Sequence, residues 1–366
     1  MPDSVLRLTF LQLIQRCDNA TISRPTIDSD PSSEFDKEEL VPLYLSDLPT
    51  SKDHQIPIGL LRPIIVEQLK FENEQSRRNN QRDLWILDYG QNSNKPRVSF
   101  ASWADSPSKR SAAMEKLCEQ WRDCGLFSDV CGPKKWRAEL YPVYKDPFGP
   151  HDYPKDDDES KETNFAFEME RSACALFGVV TYGVHMTIYQ ELESDDSRLL
   201  KIWVPTRAKT KPTWPGYFDN SVAGGIPSGM GVFEALVKEC MEEASIAADV
   251  VQKYARAVGS ISYFFRTSAG WLQPEIEYVY DMPIPPDIDP TPFTPKPLDG
   301  EVEGFEFLDQ NAVVSRMRAG KFKANCALVI IDLFIRLGYV TPDNEPEYMK
   351  ILTRLHGRFE YERWKM

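Results

Sequence analysis

The chain has 366 residues, 42% apolar, 27% charged and 11% aromatic. This balance supports a folded core of about two domains and excludes collagen, coiled coil and wholesale disorder. Forty-three basic against fifty-six acidic residues leave a formal charge of −13, which argues against a coat for nucleic-acid phosphates or an anionic membrane, so a polyanionic ligand must be met locally or through a metal.

Seven cysteines, widely spread and without a CxxC pair, read as reduced thiols. The apolar stretch Val5 to Ile14 is broken by Arg7, Thr9 and Gln12, and Ala324 to Leu337 carries Asp332 and Arg336. Neither a secretory leader nor a membrane span is expected, and the predicted location is cytoplasmic.

In chain order, Val5 to Arg16, Arg62 to Glu72 and Ser111 to Cys124 have helical periodicity, while Arg82 to Asp88 and Trp136 to Val143 read as strands. Residues 24 to 55, rich in Pro, Ser and Asp, are expected to form a long surface loop. The run Tyr153 to Glu162 is polar and self-repelling and reads as a linker or exposed loop. Beyond it, Ala175 to Gln190 and Leu199 to Pro205 read as strands joined by the turn Ser194 to Ser197, and Val232 to Ala244 as a helix. Ala257 to Phe265 and Pro274 to Met282 suggest a hairpin, and Pro283 to Pro297, with seven prolines in fifteen residues, a loop. Phe305 to Leu308 reads as a short strand, and Ala324 to Leu337 as a mostly apolar helix suited to packing on the sheet. The organisation expected is a smaller α+β domain over 1–155, a second domain over 165–340 and a C-terminal extension over 341–366.

The segment Ala223 to Gly231 holds four glycines in eight residues and feeds the helix that starts at Val232. On that helix Glu239, Glu242 and Glu243 stand at i, i+3 and i+4, so three carboxylates share a face. Such a face is solvated, with Lys238 pairing Glu242 at i+4, or it holds a cation; hard oxygen donors suit Mg²⁺ or Mn²⁺. Arg207, Lys209 and Lys211 form a local basic cluster able to face one diphosphate if that segment is extended, and Trp214 and Tyr217 beside it either stack on a ring or pack in the core. Glu275 and Glu277 share a strand face, read as exposed; His185 reads as a core histidine; Cys240, among carboxylates, is not a nucleophile.

The same segment resembles the signature of the Nudix hydrolases, G-x5-E-x7-R-E-U-x-E-E-x-G-U with U bulky and aliphatic. Glu239, Glu242 and Glu243 then fall on the three core glutamates, Gly224 on the first glycine and Ile246 on the last aliphatic position. Met230, Lys238, Cys240 and Ser245 depart from it. Trp203 to Gly216, Asp219 to Gly225, Trp121 to Gly125 and Trp136 to Tyr141 resemble a plant and fungal branch of Nudix proteins that carries an extra N-terminal domain and is described as related to thiamine pyrophosphokinase.

The resemblance implies a Nudix α/β/α sandwich with a mixed sheet after the smaller α+β domain. It also implies Mg²⁺- or Mn²⁺-dependent hydrolysis of an organic diphosphate to a monophosphate, with oxidised thiamine diphosphate as substrate. Glu239, Glu242, Glu243 and the backbone carbonyl of Ala223 are the implied metal ligands. Glu242, Glu243, Glu303 and Glu301 are the candidates for catalysis, and Arg207, Lys209, Lys211 and Trp214 for substrate binding. A small-molecule diphosphate is the partner expected, with neither nucleic acid nor membrane, in a monomer or homodimer. The alternatives are a hydrolase of ADP-ribose or another nucleoside diphosphate derivative, and a non-catalytic diphosphate sensor.

Overall fold

The computed structural model describes residues 7–20, 34–47, 56–89, 96–154, 163–194, 197–359 and 361. The first helix, α1 (Phe10–Cys17), starts later than Val5 because Thr9 caps it: its hydroxyl accepts the Gln12 N–H at 3.2 Å, and the Gln12 side chain accepts the Thr9 N–H at 2.9 Å. Residues 24–55 are not one loop. Alongside parts outside the described residues they hold a 3-10 turn (Glu34–Lys37) and a strand, β1 (Val41–Tyr44).

Next come β2 (Gly59–Leu61), α2 (Pro63–Arg78), β3 (Trp85–Asp88), β4 (Arg97–Phe100) and α3 (Pro107–Asp123). Their strands form a four-stranded sheet in the order β2-β1-β4-β3, with β1 parallel to β4 inside it. All four residues of β1 are buried, so it lacks the alternation that marks a strand in sequence. Strand β5 (Leu140–Tyr144) starts four residues later than Trp136, the run being broken where Ala138 takes φ +52°. It pairs with β6 (Phe165–Glu170). Most of the charged run 153–162 lies outside the described residues.

Ala175 belongs not to a strand but to a short helix, α4 (Cys174–Phe177), ended by Gly178 at φ +55°. The second sheet then begins: β7 (Thr181–Ser194), β8 (Ser197–Arg207) and β9 (Val222–Gly225), followed by α5 (Val232–Ala244) and α6 (Ala248–Tyr254). Strands β10 (Arg256–Arg266), β11 (Leu272–Pro283) and β12 (Val302–Asp309) precede α7 (Gln310–Arg318), α8 (Ala324–Arg336) and α9 (Tyr348–Leu355). The strand order is β10-β11-β7-β8-β12, with β9 also on β7; β11 and β7 are parallel and the other pairs antiparallel. The sheet is therefore mixed, as expected. One face packs under α5, where Val184, Met186 and Ile188 meet Ala235, Leu236 and Cys240. The other packs under α1, α8 and α9, where Leu200, Ile202 and Val279 meet Ile14, Ile330 and Ile351. This is an α/β/α sandwich with an additional N-terminal α+β region.

The two long strands β7 and β8 pair only from Tyr189↔Ile202 outward to their turn. The next pair inward, Ile188 with Trp203, is split by the hydroxyl of Ser221, which accepts the Ile188 N–H at 2.9 Å and donates to the Trp203 carbonyl at 2.6 Å. One buried side chain thus satisfies both backbone groups that the split would orphan. Inward of this wedge β9 replaces β8 as the neighbour of β7, pairing Val222–Gly225 with Gly183–Met186.

The N-terminal region and the second sheet meet partly through aromatic side chains. His151 sits among Tyr144, Tyr182 and Tyr278, with the Tyr278 hydroxyl 2.9 Å from Nε2. Burial lowers its pKa from 6.5 to about 4. The unfolded ring therefore takes up its proton before the folded ring does, so stability from neutral His151 is complete above pH 6.5 and is lost as pH falls toward 4. The urea midpoint of the wild type is expected to fall more steeply across that window than that of His151→Phe; equal slopes would remove His151 as the cause. Ser221→Ala, which leaves two buried backbone groups unpaired, is expected to cost about 1 to 3 kcal/mol in equilibrium urea unfolding.

Candidate active site

Strand β9 and helix α5 face each other across the glycine loop, and Glu234 closes the start of the helix by accepting the Gly231 N–H at 3.3 Å. Ala235, Leu236, Cys240 and Ala244 bury one face of α5, which turns Glu239 and Glu243 toward β9. Glu239 lies against Gly224, where any Cβ would overlap its carboxyl group, so this glycine is required by close approach. Glu243 accepts the Ala223 N–H at 3.2 Å. Burial, with Asp219 and Glu239 nearby, pushes its carboxyl up to about 8. Burial also raises Glu239, against the pull of Lys238. Glu242 is exposed and pairs with Lys238 at 3.3 Å, as its i+4 spacing suggested, and Lys238 is 3.5 Å from Glu239 as well. Burial and the neighbouring Glu243 and Glu239 push the Cys240 thiol far up, which fits a packing role.

Two of the departures from the Nudix pattern have visible roles. Ser245 takes the left-handed conformation at φ +53° where the pattern has glycine, and its hydroxyl donates to the Lys296 carbonyl at 2.9 Å. Met230 packs against the apolar cluster beneath α5.

These carboxylates line a cavity of about 880 Å³. Ala223, Arg207, Lys211, Trp214 and Glu301 line it too, whereas Lys209 and Glu303 do not. The basic cluster does not present three alternate cations, because the extended backbone ends at Arg207 and a turn follows, with the Lys211 N–H bonded to the Ala208 carbonyl at 3.1 Å. Arg207 is buried and clamped to Asp219 at 2.7 Å and to the Thr213 carbonyl at 3.2 Å; Lys211 is paired with Glu301. Trp214, at φ +52°, meets Tyr217 edge-on at 5.0 Å.

Glu275 and Glu277 are not on an exposed face. They share the side of β11 that carries Val279, beneath α8, and both line the cavity. Glu277 accepts from the Tyr263 hydroxyl at 2.7 Å and from the Asn325 amide at 3.1 Å, and lies 3.5 Å from His185 Nε2. His185 Nδ1 meets the Asn220 carbonyl oxygen at 2.6 Å, and the Asn220 amide donates to the Cys326 carbonyl at 3.2 Å, which fixes the proton on Nδ1. His185 is thus a satisfied buried histidine that also lines the cavity. His185 holds Glu277 well below the usual carboxylate range despite burial, whereas burial and Glu277 raise Glu275, which shares the single Tyr263 proton.

The N-terminal region supplies another wall: Asp129, Lys135, Arg137, Glu139, Tyr141 and Arg171. Arg171 holds Glu139 at 2.7 Å and lies 4.9 Å over the Tyr141 ring. The Tyr141 hydroxyl occupies the place a Cβ on Gly225 would take. In the sequence only Trp136 to Tyr141 of this wall stands out, through its resemblance to the plant and fungal branch.

A divalent ion fits the chemistry of the α5 face: hard oxygen donors, one of them buried with no cation bonded to it, beside a glycine that leaves room. Among the described residues no three acidic, histidine or cysteine side chains converge as an ion would require, and Lys238 engages Glu239 and Glu242 instead.

A mixed α/β/α sandwich with a glycine loop feeding a carboxylate-bearing helix is the class of domain these elements define. Residues 187–327 match the NUDIX domain, and a Nudix domain therefore occupies this part of the chain. An uncharacterized protein of Saccharomyces cerevisiae is 36% identical over 248 residues, covering 64% of this chain and 65% of that protein. Nudix hydrolase 20, chloroplastic, of Arabidopsis thaliana is 34% identical over 262 residues, 71% of this chain and 62% of that protein. The chain thus spans slightly less than two thirds of the length of these relatives. The NUDIX domain of Shewanella oneidensis NrtR, solved with ADP ribose, aligns with a TM-score of 0.33 at 13% identity over 44% of this chain and 90% of that one. No helix among the described residues is long and apolar enough to cross a membrane.

The fit of Tyr141 beneath Gly225 gives a direct test of how the two regions are joined. Gly225→Ala is expected to destabilise the protein by about 1 to 3 kcal/mol through overpacking. Adding Tyr141→Phe is expected to relieve part of that loss, so the two changes are non-additive in urea unfolding.

Proposed function

We propose that this chain is a Mg²⁺- or Mn²⁺-dependent Nudix pyrophosphohydrolase that converts an organic diphosphate to a monophosphate and phosphate. The observation that carries this reading is the placing of Glu239 and Glu243 against β9 on the wall of a large cavity within a Nudix domain. Glu239, Glu242, Glu243 and the Ala223 carbonyl would hold the ion once Lys238 gives way. When bound, a divalent ion neutralises phosphate charge and lowers the pKa of a water. Glu243, on the cavity wall beside the Ala223 N–H, is placed to take the proton of an attacking water once it is ionised. Glu301, at the cavity wall beside Lys211, is the next candidate base; Glu303, which accepts the Lys209 N–H at 3.3 Å, is not among the lining residues, and Glu242 would serve the ion. Trp214 and Lys211 are the lining groups suited to hold substrate, Arg207 bracing the loop through Asp219, and Lys209 contributes charge only from outside the cavity.

The substrate proposed is an oxidised thiamine diphosphate, removed as a damaged cofactor. Support comes from the resemblance of Trp203 to Gly216, Asp219 to Gly225, Trp121 to Gly125 and Trp136 to Tyr141 to the thiamine-related branch, the last stretch including Arg137, Glu139 and Tyr141 of the cavity wall. The seven free cysteines and the charge of −13 support a cytoplasmic enzyme acting on a small molecule, away from nucleic acid and membrane. The site recognises a diphosphate more directly than what it is attached to, so ADP-ribose or another nucleoside diphosphate derivative is the second substrate class. A diphosphate sensor is the third reading, favoured by the engagement of Lys238 with two of the three carboxylates.

Mass spectrometry of products from a panel of oxidised and intact thiamine diphosphates, ADP-ribose and a nucleoside triphosphate, with Mg²⁺, separates the three. Selective formation of oxidised thiamine monophosphates is expected; binding without turnover of any compound would leave the sensor. Glu243→Gln and Glu242→Gln are expected to lower turnover roughly a hundredfold or more with unchanged melting temperature, and near-normal rates in both would sink the metal assignment.

A further inference from the structure

The cations that line the cavity differ in whether the protein already neutralises them. Arg207 is held by Asp219, Lys211 by Glu301, Lys238 by Glu239 and Glu242, and Arg171 by Glu139. Lys323 lies among Asp219, Glu277 and the Cys326 thiol. Lys135 and Arg137 also line the cavity, and among the described residues neither side chain has an ion-pair or hydrogen-bond partner.

The segment that carries them is firmly built. The Lys135 and Trp136 N–H groups bond to the Gly132 carbonyl at 2.8 and 3.0 Å, and the Arg122 guanidinium lies 4.4 Å over the Trp136 ring. The Arg137 N–H donates to buried Glu170 at 2.8 Å, and Ala138 turns the chain at φ +52°. The backbone is fixed by one set of contacts while two cationic side chains are left over at the cavity wall. Two positive charges on a fixed segment, in a protein of net charge −13, are suited to a dianionic group supplied by the ligand.

We propose that Lys135 and Arg137 bind the terminal phosphate of the substrate, so that the N-terminal region selects organic diphosphates with a free end over those esterified at both ends. This rests on the hydrolase reading and sharpens it. A free terminal phosphate carries more negative charge than the internal phosphates of ADP-ribose, and its three peripheral oxygens can accept from an ammonium and a guanidinium together. The first region of the chain thereby positions the end of the substrate, while α5 supplies the groups for the reaction.

The test uses the full chain with Lys135→Gln, Arg137→Gln and the double variant, read with an oxidised thiamine diphosphate as substrate and ADP-ribose as competing ligand. Because neither side chain is bonded to the rest of the protein, these changes leave the segment's own bonds in place. Each single change is expected to raise KM for the oxidised thiamine diphosphate roughly tenfold with little change in kcat and to weaken ADP-ribose binding much less, and Arg137→Lys is expected to keep part of what Arg137→Gln loses. Unchanged KM in the double variant, or an equal loss for both compounds, would overturn the assignment. Calorimetric titration with inorganic pyrophosphate reads the same contact without turnover. A wild type that hydrolyses nothing overturns the hydrolase reading alone; weaker pyrophosphate binding by the double variant would still support the phosphate contact, and equal binding would refute it.

Discussion

The hydroxyl of Ser221, standing between the Ile188 amide and the Trp203 carbonyl, is the contact on which the site depends. A continuous β7–β8 ladder would fill the edge of β7 that β9 occupies. By capping both strands at the point where they part, Ser221 ends that ladder without leaving buried polar groups unsatisfied. The chain is then committed to β9 at the next residue, which sets Ala223 and Gly224 beneath Glu243 and Glu239. The bridge Thr206↔Phe218 and the Arg207–Asp219 pair close the intervening loop at its base. The glycines and glutamates of the recognisable motif therefore face one another only because a residue just ahead of it has opened the sheet.

Electrostatics shape the rest. Acidic side chains collect around the cavity from β9's neighbours, from α5 and from β11, and the structure limits their mutual repulsion in two ways. Some are neutralised directly, as Glu277 is by His185, and Glu139 by Arg171. Others are held against ionisation by burial, as with Glu243 and Glu275. A positive charge brought beside the second group would favour its ionised form. Cys326 and Tyr263, both buried among these acids, are pushed far from ionisation. Both donate hydrogen bonds, Cys326 to Asp219 and Tyr263 to Glu275 and Glu277.

How much of this could be read from sequence follows from how local each determinant is. Helix α5 has the expected bounds because its periodicity, the glycine loop before it and the carboxylates on it lie within one stretch. Helix α8 was equally plain from its apolar run. Strands β1, β2 and β4 escape a reading of sequence because they are three or four residues long, wholly or mostly buried, and defined by partners as far off as Leu43 is from Val98. The Arg207, Lys209 and Lys211 pattern misled because a period of two has meaning only while the strand lasts, and it ends at Arg207. Glu275 and Glu277 misled in the opposite way: alternation showed that they share a face but not that α8 covers it, since the covering element comes some fifty residues later. Of the wall formed by Lys135, Arg137 and Tyr141, the last two fall in a stretch legible only as a likeness, and Lys135 gained chemical meaning only when the fold brought it to the cavity.

Helix α1 packs on α8 and α9, although more than three hundred residues separate them in the chain. Ile14 is enclosed in the same apolar cluster as Ile330 and Leu355. The entropy of closing a loop grows only slowly with its length, so the long separation costs less stability than folding speed. The packing of α1 is therefore a contact of high sequence separation that has to be made late, after α8 and α9 have something to offer it.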